Sequence, residues 1–300
     1  MNWLWISVAA YALLAVAATV DKLMMSGRIS HPAVFAFFVS ILNIAAVLLA
    51  PFGLTILPPV WLGISLLAGI VLSWAMLFMY TAVQQNDSTR VIPFLGGALP
   101  LITLVLAFIF LGERLRPHEL VAFAFLVSAT VLISVKFGKN QQPIVHIGNL
   151  LWSSVLFGIS YFLTKLAFDA QGFFSVFVWS RVGLGIGGVS LLLPATYRQA
   201  IIASLRHRKP TRAATPGLFM FGQAAGASGI FLLNYAIKLG SVSLVNALQG
   251  LQQVFLFGSM SALYLLAPGM VSEKFSRRDI IQKLASIALV FAGLYSLAAW

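Results

Sequence analysis

The stretch VWLGISLLAGIVLSWAMLFMYTAV, residues 60–83, carries no charged side chain and no proline. Crossing a hydrocarbon layer about 30 Å thick takes about 20 apolar residues in a helix, and this stretch suffices. Pro58-Pro59 precedes it and Gln85-Asn86-Asp87-Ser88 follows it, so polar or helix-breaking residues mark both ends. Similar stretches recur along the chain, near 3–23, 32–52, 91–111, 118–136, 147–168, 173–195, 215–237, 243–266 and 280–299. Composition agrees: 60% of the residues are hydrophobic and 9% are charged, against roughly 25% charged in an ordinary soluble domain. Transmembrane barrels show alternating segments of about ten residues, and no such alternation is present. The sequence therefore predicts an all-α integral membrane protein of about ten transmembrane helices. The first run lacks the basic residues that open a secretory signal, its first being Lys22, and reads as a retained helix.

Cysteine is absent, which excludes disulfides and thiolate metal sites. His31, His118, His146 and His207 lie in or beside expected loops, far apart in sequence, so neither a metal nor another cofactor is expected. The net charge of +12 would suggest nucleic acid in a soluble protein. Here it reads as basic loops that set orientation and meet anionic lipid, with no nucleic-acid partner.

A shift of 143 residues lays 14–51 on 157–194 without a gap. Lys22-Leu23 falls on Lys165-Leu166, Val39 on Val182, and Leu48, Leu49 and Pro51 on Leu191, Leu192 and Pro194. Further along, Tyr80 matches Tyr235, Ser88 matches Ser241, and Glu113-Arg114 matches Glu273-Lys274. Residues 1–138 and 144–300 thus read as two five-helix repeats forming one body. An odd number of spans per repeat inverts the second half, a plan common among secondary transporters.

Pro100, an apolar run, then Leu111-Gly112-Glu113-Arg114-Leu115 close the fourth expected span. With two halves of five spans, this pattern resembles the EamA-like branch of the drug/metabolite transporter superfamily. The second half departs from it at Gln252-Gln253 and in the longer loop before Glu273. The resemblance implies a central cavity lined by helices 1, 3 and 4 and their counterparts 6, 8 and 9, and a multi-pass protein of the bacterial inner membrane.

Arg181 is the one charge well inside an expected span. An ionisable group at that depth costs several kcal/mol, and a guanidinium offers a rigid fork of donors for a carboxylate or phosphate. Asn246, Gln249 and Gln253 share one face of the ninth span, with Asn234 and Tyr235 on the eighth. Trp74, Tyr80 and Tyr161 could wall a substrate site. Gly96, Gly97 and Pro100 read as a hinge, because proline removes a helix hydrogen bond. Asp21, Lys22 and Lys165 read as a gate near helix ends. The glycine pairs Gly183/Gly187 and Gly222/Gly226 read as packing sites.

Every acid lies near a helix end or in a loop, and no catalytic constellation is visible, so the expectation is a transporter and not an enzyme. The substrate expected is a small neutral, zwitterionic or anionic metabolite. A flippase for a phosphate-bearing lipid is the alternative, and an intramembrane enzyme a more distant one. Without an acid at mid-depth, a central carboxylate proton switch is not expected. The oligomeric state is not legible.

Odd-numbered connections hold fourteen Lys and Arg, against Arg114, Arg116, Lys165 and Lys238 on the other side. Basic loops mark the cytoplasm, so the count places both termini outside, whereas the resemblance implies cytoplasmic termini. The count predicts that a single cysteine at Ser204 stays unlabelled by an impermeant thiol reagent applied to intact cells. Labelling from outside would reverse the orientation.

Overall fold

The computed structural model describes residues 2–24, 31–86, 88–134, 147–206, 216–266 and 277–298, and these are helices joined by short connections, with no strand among them. The first half holds α1 (Asn2–Met24), α2 (Pro32–Leu42), α3 (Pro59–Gln85), α4 (Ser88–Phe110) and α5 (Pro117–Ser134). The second holds α6 (Ile147–Ala170), α7 (Phe173–Ser190), α8 (Ala195–Arg206), α9 (Pro216–Leu239), α10 (Val242–Ala247), α11 (Gly250–Leu266) and α12 (Arg277–Ala298). Among these, 6 are long and apolar enough to cross a membrane: Asn2–Val20, Pro32–Phe52, Pro59–Gln85, Ile147–Ala170, Phe173–Ser190 and Ile281–Ala298. This composition fits a multi-pass membrane protein.

Three elements differ from the hydropathy reading. The expected span 32–52 begins as α2 but continues as a 3₁₀ helix, Asn43–Phe52. The Asn43 side chain donates to the Val39 carbonyl at 2.9 Å, Pro51 supplies no N–H, and Gly53 ends the segment at φ +117°, a conformation that glycine adopts freely. Between the expected spans 173–195 and 215–237, where no helix was expected, residues Ala195–Arg206 form α8. Tyr197, Ile201 and Ser204 recur at helical spacing, and Ile201 is fully buried where α8 packs on α2. The expected span 243–266 is two helices, α10 and α11. At their junction Gln249 N–H donates to Asn246, Leu251 N–H to Leu248 and Gln252 N–H to Gln249, three residues back in each case.

Packing follows small residues. Helix α3 lies along α6 and α7, and α1 lies along α9. A methyl added at Gly183 would stand 2.2 Å from the Leu66 carbonyl oxygen, and one at Gly69 would stand 2.0 Å from that of Ser180. The α3–α7 backbones thus meet at their glycines, which is how helices associate where lipid removes the hydrophobic drive. Gly187 meets Ile70 and Ser73, while Gly222 meets Val20 and Gly226 meets Ala17 across the α1–α9 seam.

Gly183→Ala should therefore destabilise the purified protein by about 1–3 kcal/mol, because only backbone can yield there. Gly63→Ala, with nothing within 4 Å of the new methyl, should be neutral or slightly stabilising. Thermal melting of the two variants side by side is the check. Equal melting temperatures would mean that the seam tolerates separation.

Candidate functional site

Arg181 sits a little over two turns into α7, on the helix face that carries Phe177 one turn earlier. It is only 7% exposed. Its Cζ lies 4.9 Å from the centroid of the Phe177 ring. Nε is buried without a hydrogen-bond partner, and among the described residues the guanidinium makes no hydrogen bond or ion pair. The Tyr161 ring, stacked on Phe157 with centroids 6.5 Å apart, is within electrostatic reach of Arg181, as Tyr11 is of Tyr161. A cation–π contact is worth about 2 kcal/mol when desolvated, less than the cost of burying an ion without a partner. The protein thus holds a cation in place at a net expense of stability.

Tyr11 ties this region to the broken helix. The i,i+3 turns at the α10–α11 junction take the Gln249 N–H to Asn246, so it does not serve the Val245 carbonyl. That carbonyl accepts instead from the Tyr11 hydroxyl, at 2.8 Å and in a buried position. Residues Val242–Leu248 are all buried, and within them the Asn246 Nδ2 and Ser243 Oγ atoms lack a hydrogen-bond partner.

Below Arg181 an aromatic seam joins α7 to α9. Phe231 meets Phe173 and Phe177 edge-on at 5.1 and 5.3 Å, and Tyr235 meets Phe173 edge-on at 5.1 Å. Toward the start of α9 the same stripe, including Leu218, Phe221, Ala224 and Ser228, is exposed, while the opposite stripe follows α1 through Gly222, Gly226 and Gly229. Helices α7 and α9 therefore touch at Phe231 and Tyr235 and diverge away from them. Arg181 stands one turn beyond the apex of this wedge.

On the face that carries Trp3, polar contacts hold the helix ends together. Gly112 adopts φ +64°, and the Glu113 N–H bonds back to the Ala107 carbonyl at 3.1 Å, a glycine helix stop. Pro117 opens α5, and Glu119 accepts from the Arg116 N–H at 2.7 Å, one half of a capping box. Glu113 is thereby aimed at the start of α10, where the Ser241 hydroxyl donates to its Oε1. Ser241 Oγ in turn accepts from the Leu244 N–H at 3.0 Å and caps α10. Lys238 donates to the Phe168 and Gln171 carbonyls at the end of α6, and Lys165 pairs with Asp169 at 2.8 Å. Burial pushes the Glu113 carboxyl above the usual glutamate range, an effect that the Ser241 and Ser243 hydroxyls and the Lys165 charge oppose and the Glu119 charge reinforces.

The residues singled out in the sequence divide by place. Arg181 and Tyr161 come together, and Asn246 is buried on α10 with an unpaired amide. Asn234 is buried and donates to the Ile230 carbonyl of its own helix at 2.9 Å, and Tyr235 belongs to the aromatic seam. Gln249 lies in the helix break and Gln253 is partly buried on α11. Trp74 is bonded to Ser190 on α7 at 3.0 Å, and Tyr80 lies edge-on to Phe35 on α2 at 4.7 Å. Both sit in the cluster around Leu77 and Leu191. Helix α4 runs unbroken through Pro100, and Gly96 and Gly97 abut Thr130 and Val131 of α5. The helix break lies instead at Leu248–Gln249. Lys165 belongs to the Trp3-face cluster, while the side chains of Asp21 and Lys22 lie outside the described residues. Tyr11 and Ser243 went unnoticed in the sequence. A tyrosine in the middle of an apolar span was the available signal for the first, and nothing marked the second.

No known protein family matches this chain, and no curated protein does. Solved structures do. One described only as "Crystal structure of protein" superposes with a TM-score of 0.68 over 99% of this chain and 96% of its own, at 16% identity. At that identity the likeness establishes a shared fold alone.

Tyr11→Phe should leave the Val245 carbonyl unpaired at a cost of about 1–3 kcal/mol. Hydrogen exchange is the measurement, and the amides around Leu248–Gln249 should exchange faster in the variant. Unchanged exchange there would mean that the break does not depend on Tyr11.

Proposed function

We propose that the chain is a secondary transporter of a small metabolite carrying a carboxylate or phosphate, working by alternating access around Arg181. The observation that carries this reading is the buried guanidinium without a hydrogen-bond partner. Such a group persists at a stability cost when something else completes it, and a carboxylate or phosphate matches its donors with two parallel bonds. A zwitterion offers the same carboxylate. A neutral solute would leave the charge uncompensated, and a cation would be repelled.

Helix pairing supports an inverted repeat of five spans each, with α1, α2, α3, α4 and α5 corresponding to α6, α7, α9, α10–α11 and α12. The α1–α9 seam then corresponds to α6–α3, and the α1–α11 contact to α6–α4; α2–α7 and α5–α12 span the axis. Several pairs break the pattern: α2 lies along α3 while α7 and α9 barely meet, and α4 packs on α5 more extensively than α11 on α12. Helix α3 packs closely along α7, but α9 has no comparable seam with α2. Two alike halves packed unequally is what one end state of an alternating cycle requires. On this reading the Trp3 face is shut by the aromatic seam and by α10, and the α7–α9 wedge opens the other way. The same features fit the drug/metabolite transporter resemblance, as does the Gly112-Glu113 turn that ends α4.

Uptake into proteoliposomes tests the proposal, with carboxylate, phosphate and amino-acid solutes supplied in turn and a fluorescent phospholipid as a separate arm. Arg181→Gln should abolish uptake, and Arg181→Lys should retain a fraction of it. Because the charge is unpaired, Arg181→Gln should melt no lower than the parent, whereas a structural arginine would lose stability on removal. Full uptake by Arg181→Gln would overturn the proposal. Movement of the phospholipid with no solute uptake would assign Arg181 to a lipid phosphate.

A further inference from the structure

Helix α8 has no part in crossing the membrane: at 12 residues it is too short to span a bilayer. The end of α7 tightens as the Leu191, Leu192 and Leu193 N–H groups donate to the Gly188, Val189 and Ser190 carbonyls, and α8 begins after Pro194. Tyr197 and Ile201 pack with Ala33 at the start of α2, Leu77 near the end of α3 and Leu191 just past α7. Helix α8 therefore lies at the end of the bundle opposite the Trp3 face, beyond the apolar span Phe173–Ser190. Three stripes run along it. Tyr197, Ile201 and Ser204 are turned to the bundle, while Thr196, Gln199 and Ala203 form an exposed polar or small stripe. Arg198, Ile202 and Leu205 recur at i, i+4 and i+7 and are also exposed, Leu205 by 54% and Ile202 by 40%. An apolar stripe beside a polar one, at the edge of the spans, is how a helix lies in the headgroup layer with its apolar side toward the acyl chains.

Charge selects the lipid. Arg198 stands in the exposed apolar stripe, and Arg206, Arg208, Lys209 and Arg212 follow it in sequence. No acidic residue occurs between Asp169 and Glu273, and the odd-numbered connections together hold Asp21, Asp87, Glu273 and Asp279 against fourteen Lys and Arg. We infer that α8, with the basic run at 206–212, is a binding surface for anionic phospholipid in the leaflet opposite the Trp3 face. Ile202 and Leu205 enter among the acyl chains, and Arg198 carries its charge on a long stem from the same stripe to the phosphate level. Each basic residue held near the surface draws anionic lipid in preference to neutral lipid. The surface also bears on the bundle, because Ile201 is fully buried against α2 and Ser40 of α2 meets Gly188 of α7, the helix that carries Arg181. Such a surface exists in the folded protein whether or not it moves a solute.

Because the chain has no cysteine, Leu205→Cys places a single fluorophore on α8 of the full-length protein in phosphatidylcholine bilayers. Phe291→Cys, on an exposed site of α12, is the reference. Brominated acyl chains quench the fluorophore on contact, and brominated phosphatidylglycerol or brominated phosphatidylcholine is supplied to separate samples at the same low mole fraction. At Leu205→Cys both lipids should quench, and the apparent affinity for phosphatidylglycerol should be several-fold the higher. At Phe291→Cys the two should quench alike. Raising the salt from about 0.1 M to about 1 M, which shortens the Debye length from about 10 Å to about 3 Å, should remove most of the preference at Leu205→Cys. Glutamine at Arg198, Arg206, Arg208, Lys209 and Arg212 together should do the same, and the salt series decides the matter should that variant not fold. No quenching at Leu205→Cys by either lipid would overturn the placement of α8 in the headgroup layer. Equal quenching by the two lipids there, an equal preference at Phe291→Cys, or a preference unmoved by salt would overturn the assignment to anionic phospholipid.

Discussion

The Trp3 face of this protein is organised around one hydrogen bond that secondary structure fails to make. In hydrocarbon each backbone carbonyl needs a partner from within the protein, and the junction of α10 and α11 deprives Val245 of its own. Tyr11 supplies the donor from another helix, so the break in one half is fastened to the first helix of the other. Once Val245 is held, the short α10 lies across the bundle beside α4, α5, α6 and α9. Ser241 then donates to Glu113, and Lys238 reaches the end of α6. A continuous helix through 242–266 would need no tyrosine and would leave no reason for these contacts.

Arg181 occupies the opposite energetic position. Tyr11 and Ser241 resolve local deficits, whereas Arg181 is left as one. Its neighbours include the face of the Phe177 ring, which softens the burial of a cation without neutralising it, and Tyr161 lies within electrostatic reach. Close packing of α3 on α7 through Gly69, Gly183 and Gly187 supplies the stability that such a site draws on. The guanidinium is thus carried by a helix packed closely on α3, while α9 is exposed over its first turns.

How much of this was legible in the sequence varies with the physics behind each feature. Long apolar runs fixed by bilayer thickness were read correctly, as the helices over Asn2–Val20, Pro59–Gln85 and Ile147–Ala170 attest. Gly183 and Gly187 were readable as packing sites because a missing side chain has few other uses in a span. The helix break was not legible. Pro100 is the conspicuous breaking residue, and α4 continues through it from Ser88 to Phe110, since a proline removes only one helix hydrogen bond. At Leu248–Gln249 no local residue announces a break, and the determinants are Tyr11 and Thr130, distant in sequence, the latter 2.5 Å from where a Gly250 methyl would stand. Helix α8 was hidden by composition: its polar residues look like a loop until the i,i+4,i+7 stripe of Tyr197, Ile201 and Ser204 is set against α2. Arg181 was conspicuous as a lone charge, but its lack of any partner is a fact of three dimensions.

The placement of the two charges then constrains any mechanism. Arginine stays protonated throughout the physiological range, so Arg181 can recognise charge but cannot exchange a proton for it. A carboxylate beside it would form an ion pair and abolish the very vacancy that makes it a site for an anion. Glu113 stands apart from it, held outside the apolar spans by the Gly112 turn. Communication between the two would run through structure. Glu113 bears on Ser241 and α10, α10 bears on Tyr11 through Val245, and Tyr11 lies within electrostatic reach of Tyr161 beside Arg181.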